Sequence, residues 1–296
     1  MILVAGGTGQ LGRRVVQRLV DGGEQVRVLT RDLERATNLP TGVQTVVGDV
    51  RRGPLVQIVD GCSAVISAVH GFTGPTRTSP EAVDRTGNAS LMAAAKQVGV
   101  GRFVLVSVVG AAPDRPMSLH RMKYAAEQEL HSSGLSGSTV RSTPFLETWL
   151  GIIGAKLANG GPALVFGPGQ NPINFVSADD VAAFVCLAVG GDERVGDQVS
   201  VGGPQNLTFT EIAEELLAHT SHGKGTKHVP LAALRAMSLV ARPIKPSLAR
   251  QARAAVVMNT TDMAFDASPV RDRFPDIPTT TMARLAEAST SPGLRP

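Results

Sequence analysis

The chain has 296 residues, 43% of them hydrophobic and 18% charged, with a net charge of +4; this is the composition of an ordinary globular protein with enough chain for one large core or two modest ones. Cys62 and Cys186, the two cysteines, both sit in apolar surroundings and read as reduced core thiols, which excludes a disulfide framework. The arginines are dispersed, one Trp and one Tyr make no stacking platform, and no apolar run approaches the ~18 residues of a bilayer span, so neither nucleic acid nor membrane is expected as a partner, nor is a metal site.

The chain opens on an apolar run, Ile2-Leu3-Val4-Ala5, then Gly6-Gly7-Thr8-Gly9-Gln10-Leu11-Gly12, then an amphipathic segment with Val15, Val16, Leu19 and Val20 as its stripe. Strand, glycine turn and helix in that order are the context of a dinucleotide-binding fingerprint. Glycine permits the tight turn and puts no Cβ between backbone and pyrophosphate, while the helix start offers N–H groups and the positive end of its dipole. Gly6, Thr8, Gly9, Gln10, Leu11 and Gly12 are therefore candidate cofactor residues. The first strand starts at residue 2, so the reading expects no signal peptide and a cytoplasmic protein.

Residues 25–30 alternate as a second strand and end in Arg31-Asp32, with Arg35 one turn on. The end of that strand lies beside the adenosine ribose in a doubly wound fold. Guanidinium groups at Arg31 and Arg35, with Arg13 near enough to join them, suit a 2′-phosphate, so NADPH is expected over NADH; Asp32 argues the other way if it, rather than Arg31, faces the ribose. Residues 43–47 form a third strand. Asp49 after it sits where a carboxylate accepts from an adenine amino group, or else caps the following turn. Residues 64–69 are a fully apolar fourth strand, as in a parallel sheet covered on both faces. Ser67 and Ala68 near its end are candidates to line the cofactor ribose, and His70 and Phe72 in the glycine-rich loop beyond are candidates to meet substrate.

Residues 81–98 read as one helix interrupted by Gly87-Asn88, and residues 102–109 as a fifth strand with Ser107 near its carboxyl end. Ser118 is expected to cap a helix running to about His131, on which Leu119, Lys123, Ala126 and Leu130 share a face. Lys123 leans either toward the sheet edge, to bond the nicotinamide ribose, or to solvent. A sixth strand starts at Ser138. The composition changes beyond Thr143, where a substrate-covering lobe containing Phe145 begins. Ser177 is expected to cap a helix over 179–189, residues 198–201 to form a seventh strand, and Thr208 or Thr210 to cap a helix over 211–219. Residues 220–296 read as helices made basic by Arg242, Lys245, Arg250 and Arg253. The expected fold is α/β: a doubly wound parallel sheet of Rossmann type formed by 1–142 plus 176–203, a small lobe formed by 143–175 plus 204–288, and a disordered tail, 289–296.

Taken in order, Gly6-Gly7-Thr8-Gly9-x-x-Gly12, Thr30-Arg31-Asp32, Gly48-Asp49-Val50, Gly87-Asn88, Gly99-Val100-x-Arg102-Phe103-Val104, Ser107, Lys123, Ser133-Gly134-Leu135, Asp180-Val181-Ala182 and Gly202-Gly203-Pro204 with Leu207-Thr208 resemble the NmrA-like, atypical branch of the extended short-chain dehydrogenase/reductase family over roughly residues 1–240. The resemblance implies NAD(P) bound at the glycine turn and a C-terminal lobe over the substrate. The family's proton relay places a Tyr four residues before the helix lysine; that position is Leu119 here, and Tyr124 lies one residue past Lys123. Reduction of a simple ketone needs such a donor, whereas a quinone or enone yields a delocalised anion that takes its proton from water. The expected activity is NADPH-dependent hydride transfer to an electron-poor acceptor, with Lys123, Ser107 and His120 as catalytic candidates. The alternative is a non-catalytic, NADP(H)-sensing regulator of the NmrA type. Monomer and homodimer both fit, and the small-molecule substrate is not encoded in a pattern that converts into a ligand.

Overall fold

A computed structural model describes residues 1–220 and 223–290. In chain order the elements are β1 (Ile2–Ala5), α1 (Gln10–Asp21), β2 (Val26–Thr30), β3 (Gln44–Val47), α2 (Leu55–Val59), β4 (Ala64–Ser67), α3 (Asn88–Gln97), β5 (Arg102–Val108), α4 (Ser118–Ser133) and β6 (Gly137–Ser142). There follow α5 (Leu146–Ile153), β7 (Ala163–Phe166), β8 (Ile173–Asn174), α6 (Ala178–Gly190), β9 (Gln198–Val201), β10 (Asn206–Leu207), α7 (Phe209–Ala218) and β11 (Thr226–Val229). Four helices close the described chain: α8 (Leu231–Val240), α9 (Pro246–Thr260), α10 (Ser268–Arg273) and α11 (Met282–Thr290). The chain forms two compact units, Met1–Ser142 with Ala178–Val201, and Thr143–Ser177 with the residues from Gly202 on.

The first unit is a seven-stranded, wholly parallel sheet in the order β3-β2-β1-β4-β5-β6-β9. Its strands are apolar on both faces because both faces are covered: α2, α3 and α4 pack on one, around Leu3, Val65, Phe103 and Leu105, and α1 and α6 on the other. Val15, Val16 and Leu19 of α1 are buried as the stripe predicts, and Arg18 pairs with Asp179 at 2.7 Å to join α1 to α6. The strand order reverses between β1 and β4, which puts a crevice at the carboxyl edge of those strands, where open α/β sheets bind ligands.

Several local expectations are corrected. The fourth strand stops at Ser67, and β6 starts one residue earlier than expected, at Gly137. Residues 81–98 are not one regular helix: Glu81–Gly87 is a π-helical turn leading into α3. The widened turn is held by the Asn88 side chain, whose Nδ2 donates to the Asp84 carbonyl at 2.7 Å, and Gly87 is pressed so close to Val50 that a Cβ would lie 2.7 Å from its methyl. Ser118 is the first residue of α4 rather than its cap; Met117 precedes it, with no side-chain cap.

The second unit has its own core of Leu146, Ile153, Phe175, Phe209, Ile212 and Met258, with Trp149 stacked on Phe209 at 4.7 Å. Thr208 caps α7 in a capping box with Glu211. The unit also holds two ribbons that the sequence reading passed over, β7 with β11 (parallel) and β8 with β10 (antiparallel), so the stretch after residue 220 is not helical throughout. Buried Asn174 ties this unit together: its Oδ1 accepts the Gly203 N–H at 2.8 Å, and its Nδ2 donates to the Gly203 and Phe265 carbonyls at 3.1 and 3.2 Å. Of the expected disordered tail, residues 289–290 complete α11, and 291–296 lie outside the described residues. No helix among the described residues is long and apolar enough to cross a membrane.

Candidate cofactor site and its surroundings

The glycine turn between β1 and α1 has almost no spare room. Gly6 adopts φ +86°, and a Cβ there would lie 2.7 Å from the Ala68 carbonyl oxygen. A Cβ on Gly12 would lie 2.1 Å from the Gly6 oxygen. These two glycines are thus demanded by the backbone itself, Gly6 by handedness and contact with the end of β4, Gly12 by the packing of α1 on the turn. Gly9 differs: it is exposed, bonds Gly6 O through its N–H at 2.9 Å, and caps α1 without a side chain. The N-cap therefore meets the crevice as backbone, and with the first N–H groups of α1 it forms a cradle that fits a pyrophosphate. Leu11 is buried, so only its N–H belongs to this cradle.

At the end of β2, Arg31 and Asp32 are both exposed, and Asp32 makes a capping interaction. Asp32 Oδ1 accepts the Glu34 N–H at 3.0 Å and starts a short 3₁₀ turn, Leu33–Ala36. One carboxylate oxygen is thus engaged with the backbone, and Asp32, Arg31 and Arg35 are all exposed. Arg13 spans the gap: its Nε donates to Thr8 O at 3.1 Å and its guanidinium reaches Arg35 O at 3.4 Å. Asp49 takes the turn role, with Oδ1 accepting from Arg51 N at 3.0 Å and from Arg51 Nε at 2.9 Å. Hydrogen bonding from Arg51 holds its carboxyl below the usual range, and Arg31 adds a smaller pull in the same direction.

Of the two placements expected for Lys123, the structure shows the inward one, and the residue is 3% exposed. Its Nζ is enclosed by three oxygens: Val69 O and Val106 O, each accepting at 2.9 Å, and Asp84 Oδ1, ion-paired at 3.0 Å. An ammonium has three N–H groups; two are donated to Val69 O and Val106 O, and Asp84 Oδ1 is held by charge without a hydrogen bond, so Lys123 joins the segments after β4 and β5. Asp84 is fully buried, and its Oδ2 accepts the Gly71 N–H at 2.8 Å. Sequence reading missed Asp84 because a buried aspartate has no pattern of its own; the one local sign was the Gly87-Asn88 break that marks the π turn. Ser67 is likewise committed inward, its Oγ donating to Asn88 Oδ1 at 2.5 Å, which leaves Ala68 and the backbone to line the edge.

Ser107 closes β5 with a buried Oγ that has no hydrogen-bond partner, and His120 Nδ1 is also buried and unpartnered. Burial, with the Arg115 guanidinium behind it, pushes the His120 imidazole down to about 4, against a smaller opposing pull from the Val109 backbone. His120 is therefore neutral at pH 7 and carries no imidazolium charge there. His70 is exposed and Phe72 half-buried in the loop after β4. Phe145 belongs to the second unit, where it precedes α5 and bridges to Val176. Burial also raises both thiols, Cys186 to about 11, in keeping with unreactive, unpaired cysteines.

Residues 6–190 match the model of a family described as NAD(P)H-binding. This chain belongs to that family. It is 31% identical over 232 residues to an NAD(P)H azoreductase from Xenophilus azovorans, covering 78% of this chain and 77% of that one. It is 32% identical to (4-alkanoyl-5-oxo-2,5-dihydrofuran-3-yl)methyl phosphate reductase of Streptomyces griseus, covering 73% and 72%. It is 28% identical to the photosystem II assembly factor Ycf39 of Synechocystis, covering 92% and 85%. In fold it is similar to an NADPH-dependent quinone oxidoreductase from Escherichia coli solved with NADPH, at TM-score 0.78 and 20% identity, covering 98% and 100%. The NmrA-like label is finer than these matches reach.

Proposed function

We propose that the protein is an NADPH-dependent reductase of electron-poor acceptors, of the quinone or enone type. The observation that carries this reading is the proton-donor position. Leu119 stands where a Tyr would protonate an alkoxide, and neutral His120 does not replace it. When bound, the reduced nicotinamide supplies a hydride, two electrons with one hydrogen. The acceptor becomes a delocalised anion and takes its proton from water, so the protein has only to bind, orient and exclude. The glycine cradle and the bare start of α1 hold the pyrophosphate. Arg31 and Arg35, exposed at the end of β2, favour a 2′-phosphate. The Ser107 hydroxyl, near the carboxyl end of β5, is unpartnered and 1% exposed, so it donates to the acceptor oxygen only if the crevice opens to it. An azo group, a quinone and an acyl-substituted oxo-dihydrofuran are all electron-poor π systems, so the relatives support the substrate class.

The test is NADPH oxidation with quinone, enone and azo acceptors beside a simple ketone. Turnover with the first three and none with the ketone is expected; turnover with the ketone alone would refute the reading. Cofactor choice is checked by calorimetric titration with NADPH and NADH, in which Arg31→Ala is expected to lose the preference. The similarity to an assembly factor supports a second reading, an NADP(H)-responsive regulator, whose partner capture would change between NADP⁺ and NADPH in a titrated pull-down.

A further inference from the structure

The positive charge of this protein is not spread evenly. Residues 216–261 contain seven Lys and Arg and no Asp or Glu, while the chain as a whole has 29 basic and 25 acidic residues, so everything outside this stretch is net acidic. The stretch includes α8 and α9, two helices packed on each other, with Leu234 of α8 and Ala249, Ala252 and Met258 of α9 facing inward. The end of α8 and the turn after it carry the most exposed large apolar side chains of the described residues: Leu239 at 69%, Val240 at 71% and Ile244 at 77% exposure. The turn is tightly closed, with Arg242 N donating to Leu239 O and Ile244 N and Lys245 N donating to Ala241 O, so the three side chains share one ordered tip. Exposed Arg235, Arg242 and Lys245 surround it.

Single exposed aliphatics need no explanation, but three at one tip, ringed by cations, do. We infer that the α8–α9 tip is a peripheral contact for an anionic phospholipid surface, with Leu239, Val240 and Ile244 entering the headgroup region and Arg235, Arg242 and Lys245 meeting lipid phosphates. Apolar side chains flanked by Lys and Arg, without intervening acids, are the pattern of interfacial binding. A second copy of the chain suits the tip less well: a two-fold contact would set Arg242 and Lys245 against their own images with no acid in the stretch to offset them. An acidic protein suits it less well too, because a tip of three side chains is far smaller than the ~800 Å² per partner of a stable protein interface. The absence of a spanning run, from which the sequence reading expected no membrane partner, does not bear on a contact of this kind. It stands independently of the proposed reductase activity, although it would place the protein where lipophilic acceptors dissolve.

The experiment is flotation of the full chain with phosphatidylcholine vesicles, with and without phosphatidylglycerol, at low salt. Binding to the anionic vesicles and not to the neutral ones is expected. Leu239→Ser with Ile244→Ser, which leaves charge untouched, should weaken it by about tenfold or more, and Arg242→Ser with Lys245→Ser by a similar factor, both without change in NADPH affinity or thermal midpoint, since all four side chains are exposed. No flotation with anionic vesicles, flotation indifferent to the Leu239 and Ile244 changes, or a shift in oligomeric state as their sole effect would each overturn the inference. The last outcome would hand the tip to a second copy.

Discussion

Replacing Lys123 with Met separates two roles for this residue. If the ammonium bonds a cofactor ribose, the variant should fold normally and bind NADPH poorly. The structure argues for the opposite. Loss of the ammonium leaves the Asp84 carboxylate fully buried, with the Gly71 N–H as its remaining hydrogen bond, and strips the Val69 and Val106 carbonyls of their donor. Removing one partner of a buried ion pair costs about 3–5 kcal/mol. At a urea m-value of ~1–3 kcal/mol/M, the midpoint should fall by about 2 M. Asp84→Asn should cost a comparable amount through the ammonium it strands, and the double variant should lose less than the two singles together by ~1 kcal/mol or more, because no buried charge is left alone. The assay is urea unfolding followed by circular dichroism, with NADPH titration on the folded fraction. A Lys123→Met variant that unfolds within about 1 kcal/mol of the parent would refute the reasoning.

Gly12→Ala drives a methyl into the Gly6 carbonyl, and should weaken NADPH binding at least tenfold in calorimetry and cost ~1–3 kcal/mol of stability. His120 should titrate near 4 by NMR rather than near 6.5; because its folded pKa lies below its unfolded one, the unfolded chain binds more protons between those values, so stability falls as pH drops from about 6.5 to 4, by roughly 2–3 kcal/mol, and His120→Gln should flatten that slope in urea titrations at several pH values. Asn174→Ala leaves the Gly203 N–H without its acceptor in a buried site and should cost about 2–4 kcal/mol, read as lost protection in hydrogen exchange of the second unit.

The first unit was largely legible because its strands are runs of apolar residues, its helices keep a 3.6-residue period, and its turns are marked by glycine. Gly6 and Gly12 could be named from the sequence because the reason for them is local. Asp84 could not, since its burial depends on Lys123 arriving from a helix almost forty residues on. The sequence left open which groups near Asp32 and Asp49 face the cofactor; their hydrogen bonds with Glu34 and Arg51 are contacts of the fold that became visible only in three dimensions. In the second unit, β8 and β10 are two residues long and β11 is exposed along most of its length, so neither period nor hydropathy marks them.

The first unit is not contiguous in the chain, and this bears on how it is born. A nascent polypeptide that has emerged as far as Ser142 already holds six of the seven strands, yet it lacks α6, whose Val181, Phe184 and Val185 are buried in the finished protein. The sheet face shared by α1 and α6 therefore stays partly bare while residues 143–177 are synthesised, and closes only when α6 has emerged to Gly190, with β9 completing the sheet at Val201. Translation pausing within residues 143–201 would prolong that exposure, and it is there, rather than in the cofactor-binding end of the gene, that slow codons would be most damaging to yield.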